Sequence, residues 1–86
     1  MKNPSYNKPN PKDLEQENKK IRQLRLLVDL TAATLRSGNL STVEMVNLVN
    51  KTKRFALHLF PDKEQTFDLI YKPRFERIIN ERLKSN

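Results

Sequence analysis

Apolar residues fall at helical spacing along most of the chain. Between residues 13 and 37 there is no proline and no glycine, and Ile21, Leu24, Val28, Thr31 and Leu35 recur at alternating intervals of three and four. That is one stripe along a helix. Leu26, Leu27, Leu30, Ala32 and Ala33 add apolar surface away from the stripe, so the second half of this helix is apolar around much of its circumference. Such a helix is expected to be central or to be covered by a second copy of the chain. Gly38 follows Ser37 and predicts a left-handed stop.

Ser41-Thr42-Val43-Glu44 has the pattern of a capping box, a hydroxyl at the N-cap and a carboxylate three residues on. It opens a second helix over about 42–60. Its broad apolar face runs from Val43 and Met45 to Phe55, Leu59 and Phe60, and Pro61 stops it. Asp62-Lys63-Glu64-Gln65 reads as the start of a third helix, with Asp62 as its cap. Phe67, Ile70, Tyr71, Phe75, Ile78, Ile79 and Leu83 then repeat at three and four up to residue 84. Pro73 falls inside this run, where the missing N–H is expected to kink the helix or split it. No alternating run and no Asn-Gly or Asp-Gly turn predicts a strand. The expected fold is therefore all-α, a three-helix bundle with helices near 13–37, 42–60 and 62–84. Residues 1–12 hold three prolines and three lysines with little to bury, and are expected to form a disordered basic tail ahead of one helical domain, 13–86.

Composition narrows the possibilities. The chain has 86 residues with no cysteine, one histidine (His58) and one glycine. A disulfide scaffold, a thiolate metal site and a glycine-rich phosphate loop are excluded. His58 has neither a cysteine to activate nor a second histidine with which to share a metal. Asp62, Glu64 and Asp68 cluster, but capping and an Asp68–Lys72 pair at i,i+4 account for them. No catalytic residue, cofactor, metal ligand or small-molecule substrate is expected. No apolar run is long enough to span a membrane and no secretory signal opens the chain, so a cytoplasmic location is expected.

The formal charge is +7, but +3 of it lies in residues 1–12. Two basic clusters remain: Lys19, Lys20, Arg22 and Arg25 on the first helix, and Lys51, Lys53 and Arg54 on the second. Antiparallel packing that sets residues 19–25 level with about 51–58 brings the clusters together, and a merged patch would bind phosphates. The aromatic residues Phe55, Phe60, Phe67, Tyr71 and Phe75 lie on apolar stripes and are expected in the core. Taken together, the residues point to a small non-enzymatic helical protein-interaction module that self-associates through Leu26, Leu27 and Leu30. The alternative is a nucleic-acid-binding accessory protein that uses the basic patch on the first two helices.

Overall fold

In the computed structural model, which describes residues 11–85, the chain is all-α with three helices and, among the described residues, no strand. Helix α1 spans Pro11–Ser37 and α2 spans Thr42–Leu59. The third helix, α3 (64–85), is a continuous run of an α turn Glu64–Thr66, a π segment Phe67–Tyr71 and an α-helix Lys72–Ser85. Residues 1–10, most of the expected tail, lie outside the described residues. The helix reaches two residues further toward the N-terminus than expected because Pro11 sits at its first position, where a missing N–H costs nothing.

Local chemistry sets the ends of α2. Ser41 Oγ accepts from the Glu44 N–H at 3.2 Å, and the Ser41 N–H donates to Glu44 Oε1 at 2.8 Å. Both halves of the capping box are formed. These hydrogen bonds stabilise the Glu44 carboxylate and hold its pKa below the ordinary value. At the other end Phe60 leaves helical geometry (φ −135°, ψ 81°), in the direction that a following proline favours.

Two local expectations need correction, and a third is decided between its alternatives. Gly38 does not adopt a left-handed conformation, and no glycine in the structure has positive φ. Its N–H bonds Thr34 O at 2.7 Å, and a Cβ there would stand 2.5 Å from that same carbonyl oxygen. Glycine is needed for close approach, not for handedness. Asp62 is not a cap: it sits in a turn closed by the Lys63 N–H on Phe60 O (3.1 Å), and α3 begins at Glu64 without a side-chain cap. Pro73 does not split α3. Proline withdraws the N–H that Leu69 O would accept in an α-helix. The preceding turn widens to i→i+5 bonding, with the Lys72 N–H on Phe67 O, and the helix runs on.

The core is Val28, Ala32 and Leu35 from α1, Met45, Val49 and Ala56 from α2, and Phe67, Phe75, Ile78 and Ile79 from α3. Short connections make α2 antiparallel to both neighbours. Consequently α1 and α3 run parallel, and Arg82 near the end of α3 reaches the end of α1. Its guanidinium donates to Arg36 O and, at 2.6 Å, to Gly38 O. These carbonyls belong to the orphan acceptors that every helix C-terminus leaves.

One buried polar pair fixes the register of α1 on α2. Thr31 Oγ1 and Thr52 Oγ1 are 2.8 Å apart, and both residues are buried. Thr52 has a single hydroxyl proton, which it donates to Leu48 O at 2.9 Å. Thr31 must therefore be the donor to Thr52. An asymmetry follows. Thr52→Val removes the acceptor and strands the Thr31 hydroxyl, and is expected to cost about 1–3 kcal/mol. Thr31→Val leaves Thr52 bonded to Leu48 O and is expected to cost less than about 1 kcal/mol on the same basis. Urea midpoints of the two variants measure the difference, and a larger loss for Thr31→Val than for Thr52→Val would reverse the donor assignment.

Candidate functional site

Residues 31 and 52 stand level, so residues 19–25 lie level with about 58–64. This is about seven residues further along α2 than the register expected from sequence, roughly 10 Å at 1.5 Å per residue. The two basic clusters are offset. Lys53 is also occupied. Its Nζ lies 3.1 Å from Glu64 Oε2, 2.9 Å from Asp68 Oδ1 and 3.2 Å from Asp68 Oδ2. The hydrogen bonds to Asp68, then to Glu64, raise its pKa above the ordinary lysine value. Asp68 thus pairs across to α2 and not with Lys72 on its own helix: the wide turn at 67–71 alters the i,i+4 geometry, and Lys53 lies between the two acids. Lys19, Lys20, Arg22 and Arg25 are all exposed, but 100° steps distribute them around α1. Lys51 and Arg54 are exposed on α2. Lys53 is thus engaged by α3, and the other six basic residues are spread around α1 and along α2.

The apolar residues do converge. Leu26 and Leu30 lie one turn apart on α1, on the side away from Val28 and Leu35, and are 60% and 56% exposed. Leu27 borders them and is half-buried. Phe55, expected in the core, is instead 52% exposed. It lies three residues after Thr52, and that 300° step turns it from the α1–α2 contact to its edge. Leu26, Leu27, Leu30, Phe55 and Gln23 line a groove of about 220 Å³ between the outer faces of α1 and α2. Lys51 precedes Phe55 by four residues and His58 follows it by three, so both share its side of α2. Lys19 precedes Gln23 by one turn on α1. The groove lining is apolar apart from Gln23, and helical spacing alone places Lys19, Lys51 and His58 near it. Leu26, Leu27 and Leu30 stand out in the sequence as apolar surface beyond the α1 stripe; the contribution of α2 was masked because Phe55 lies on a stripe that also carries core residues.

A second concavity of about 280 Å³ opens where α2 ends. Ile21, Leu24, Ala56, Leu57, Phe60, Phe67 and Tyr71 form its apolar wall, and Glu17 and Lys63 line it as well. The Phe67 and Tyr71 rings stand 5.6 Å apart and tilted, an ordinary aromatic packing distance. From this point α1 continues toward its N-terminus, with every residue from Leu14 to Gln23 exposed.

Among the described residues no three or more of His, Cys, Asp and Glu are grouped to hold a metal ion, and no helix is long and apolar enough to cross a membrane. No protein-family model matches the chain, and no curated protein or solved structure is significantly similar to it.

Proposed function

We propose that this chain is a small non-enzymatic helical protein-interaction module. Its groove between α1 and α2 receives the apolar face of an acidic amphipathic helix on a partner protein. The exposed trio Leu26, Leu30 and Phe55 carries this reading: three large apolar side chains from two helices line one groove. Helix-in-groove binding uses that geometry, with apolar anchors at i, i+3 or i+4, and i+7. Lys19, Lys51 and His58 flank the groove, and a basic rim steers an acidic partner and speeds its encounter more than it tightens the complex. Self-association at this groove would set the same basic rim against itself. The nucleic-acid alternative has weaker support, because Lys53 is engaged by Glu64 and Asp68 and the two clusters are offset.

The test uses a synthetic amphipathic helix with leucines at groove spacing and glutamates elsewhere, followed by fluorescence anisotropy. Micromolar binding is expected. Leu30→Glu and Phe55→Glu are each expected to weaken it by roughly tenfold or more, about 1.4 kcal/mol. Both side chains are more than half exposed, so the variants should keep the wild-type helical signal. A peptide with lysines in place of the glutamates should bind much more weakly. Equal binding by wild type and both variants, or no binding by wild type, would remove the groove from consideration.

A further inference from the structure

The concavity at the end of α2 takes much of its wall from one stretch of chain. Phe60, Lys63, Thr66, Phe67 and Tyr71 all line it, and α1 and α2 supply the rest. This stretch is lightly held. Residues 61–66 are exposed, and Phe67 is the only buried residue between Pro61 and Tyr71. One backbone hydrogen bond, from the Lys63 N–H to Phe60 O at 3.1 Å, closes the turn. The helix that follows starts without a side-chain cap and passes at once into the π segment. Segments with little buried apolar surface and solvent-facing backbone hydrogen bonds are the ones that open locally while the rest of a fold stays closed.

What ties the stretch down is charge. Lys53, Ala56, Leu57 and Phe60 recur at i, i+3, i+4 and i+7, so they share one side of α2. Glu64, Phe67, Asp68 and Tyr71 repeat the same spacing on α3. In both rows the apolar members line the concavity, and the charged members form the bridge from Lys53 Nζ to Glu64 and Asp68. Among the described residues no other ion pair is formed. The Lys53 side chain is 24% exposed, and an ion pair in reach of water adds little to global stability. It is enough to bias a local equilibrium. We propose that residues 61–71 are a strap latched to α2 by Lys53, and that releasing this charge bridge swings the strap outward and widens the concavity. The latch answers to salt and to any anionic group that competes for Lys53. Neither the groove nor its partner enters this inference, which stands or falls apart from the proposed function.

Amide hydrogen exchange of the full chain, read by mass spectrometry, separates the strap from the body of the bundle. Lys53→Met keeps most of the side-chain stem and removes its charge. It is expected to speed exchange over 64–71 roughly fivefold, with residues 28–35 and 45–52 unchanged. Glu64→Gln combined with Asp68→Asn removes the charge from the other side and should do the same. All three substitutions together should do no more than either set, because they break one bridge. Added salt should speed strap exchange in the unsubstituted chain and not in the variants, and this arm needs no substitution to fold. The width of the concavity is read with Nile red, an uncharged apolar dye. In a Phe55→Glu background, which disables the groove as a competing site, its fluorescence should rise roughly threefold or more when the latch is removed. Acceleration spread evenly over all three helices would make Lys53 a support of the whole fold and overturn the latch. Unchanged strap exchange in both sets of variants overturns it as well. Faster strap exchange with no gain in dye fluorescence overturns the link between the latch and the concavity.

Discussion

Phe75→Ala is expected to leave the chain largely unfolded at room temperature. Phe75 is fully buried (0% exposed), and its ring centroid lies 6.3 Å from that of Phe67. All three helices contribute to the core around it. Truncating such a side chain costs about 3–5 kcal/mol, the lost transfer energy plus the cavity left behind. A single core in a domain under roughly 70–80 residues supplies little more than about 3–5 kcal/mol in total. The loss therefore approaches the whole stability, and helical ellipticity at 222 nm should fall without denaturant. Phe75→Leu keeps most of the volume and should retain a folded baseline with a lower urea midpoint, at a cost below about 1.5 kcal/mol. Phe55→Ala is the internal comparison. It removes the same side chain from a half-exposed position and is expected to shift stability by no more than about 0.5–1 kcal/mol, as surface substitutions do. Similar losses at the two phenylalanines would mean that Phe55 belongs to the core and that no groove exists.

Gly38→Ala is expected to cost about 2–4 kcal/mol, combining overpacking with a strained charged hydrogen bond. The new Cβ would stand 2.5 Å from Thr34 O, a backbone atom that cannot swing aside as a flexible side chain would. Displacing residue 38 also moves its carbonyl away from Arg82 Nη2, now at 2.6 Å. The two effects share one structure, so Gly38→Ala and Arg82→Ala should be less than additive, with a coupling of roughly 0.5–3 kcal/mol. Asparagine separates this account from the left-handed one. Asn tolerates a left-handed conformation better than Ala does, so a left-handed site would be partly rescued by Gly38→Asn. Here both residues bring the same Cβ, and both should destabilise alike. Thermal or urea midpoints decide between the two accounts.

What could be read from the sequence was set over three or four residues. The capping box at Ser41 and Glu44, the stop before Pro61 and the stripe through Val28 and Leu35 depend on near neighbours, and each is present in the structure. What could not be read depends on distant residues. Lys53 sits within a basic cluster in sequence, and only the approach of α3 brings Glu64 and Asp68 to it. The offset of the two basic clusters depends on one hydroxyl pair, Thr31 and Thr52, whose spacing along the chain carries no visible signal. Phe55 has the composition of a core residue, and its exposure follows from its angular position, one 300° step from Thr52 and so at the edge of the α1–α2 contact. Ile70 was placed on the apolar stripe of α3 by spacing, yet it is exposed, because the stripe was drawn with a constant α-helical period through a segment that is wound more widely.

That wider winding bears on how α3 responds to a change in length. Eight residues separate Phe67 from Phe75, and in an unbroken α-helix this leaves the two about 80° apart around the axis. The π segment advances less per residue and removes that excess, so both rings face the core. Phe67–Tyr71 thus behaves as one surplus residue absorbed within a helix, with no loop. The helix downstream keeps its phase: Ile78 and Ile79 stay under α1, and Arg82 arrives at the end of that helix in position to bind its carbonyls. A one-residue deletion or insertion in a uniform helix would turn every later side chain by about 100°. Here one turn already stores such a difference, which makes it the place in α3 where the chain can lose a residue and leave the far end of the bundle in register.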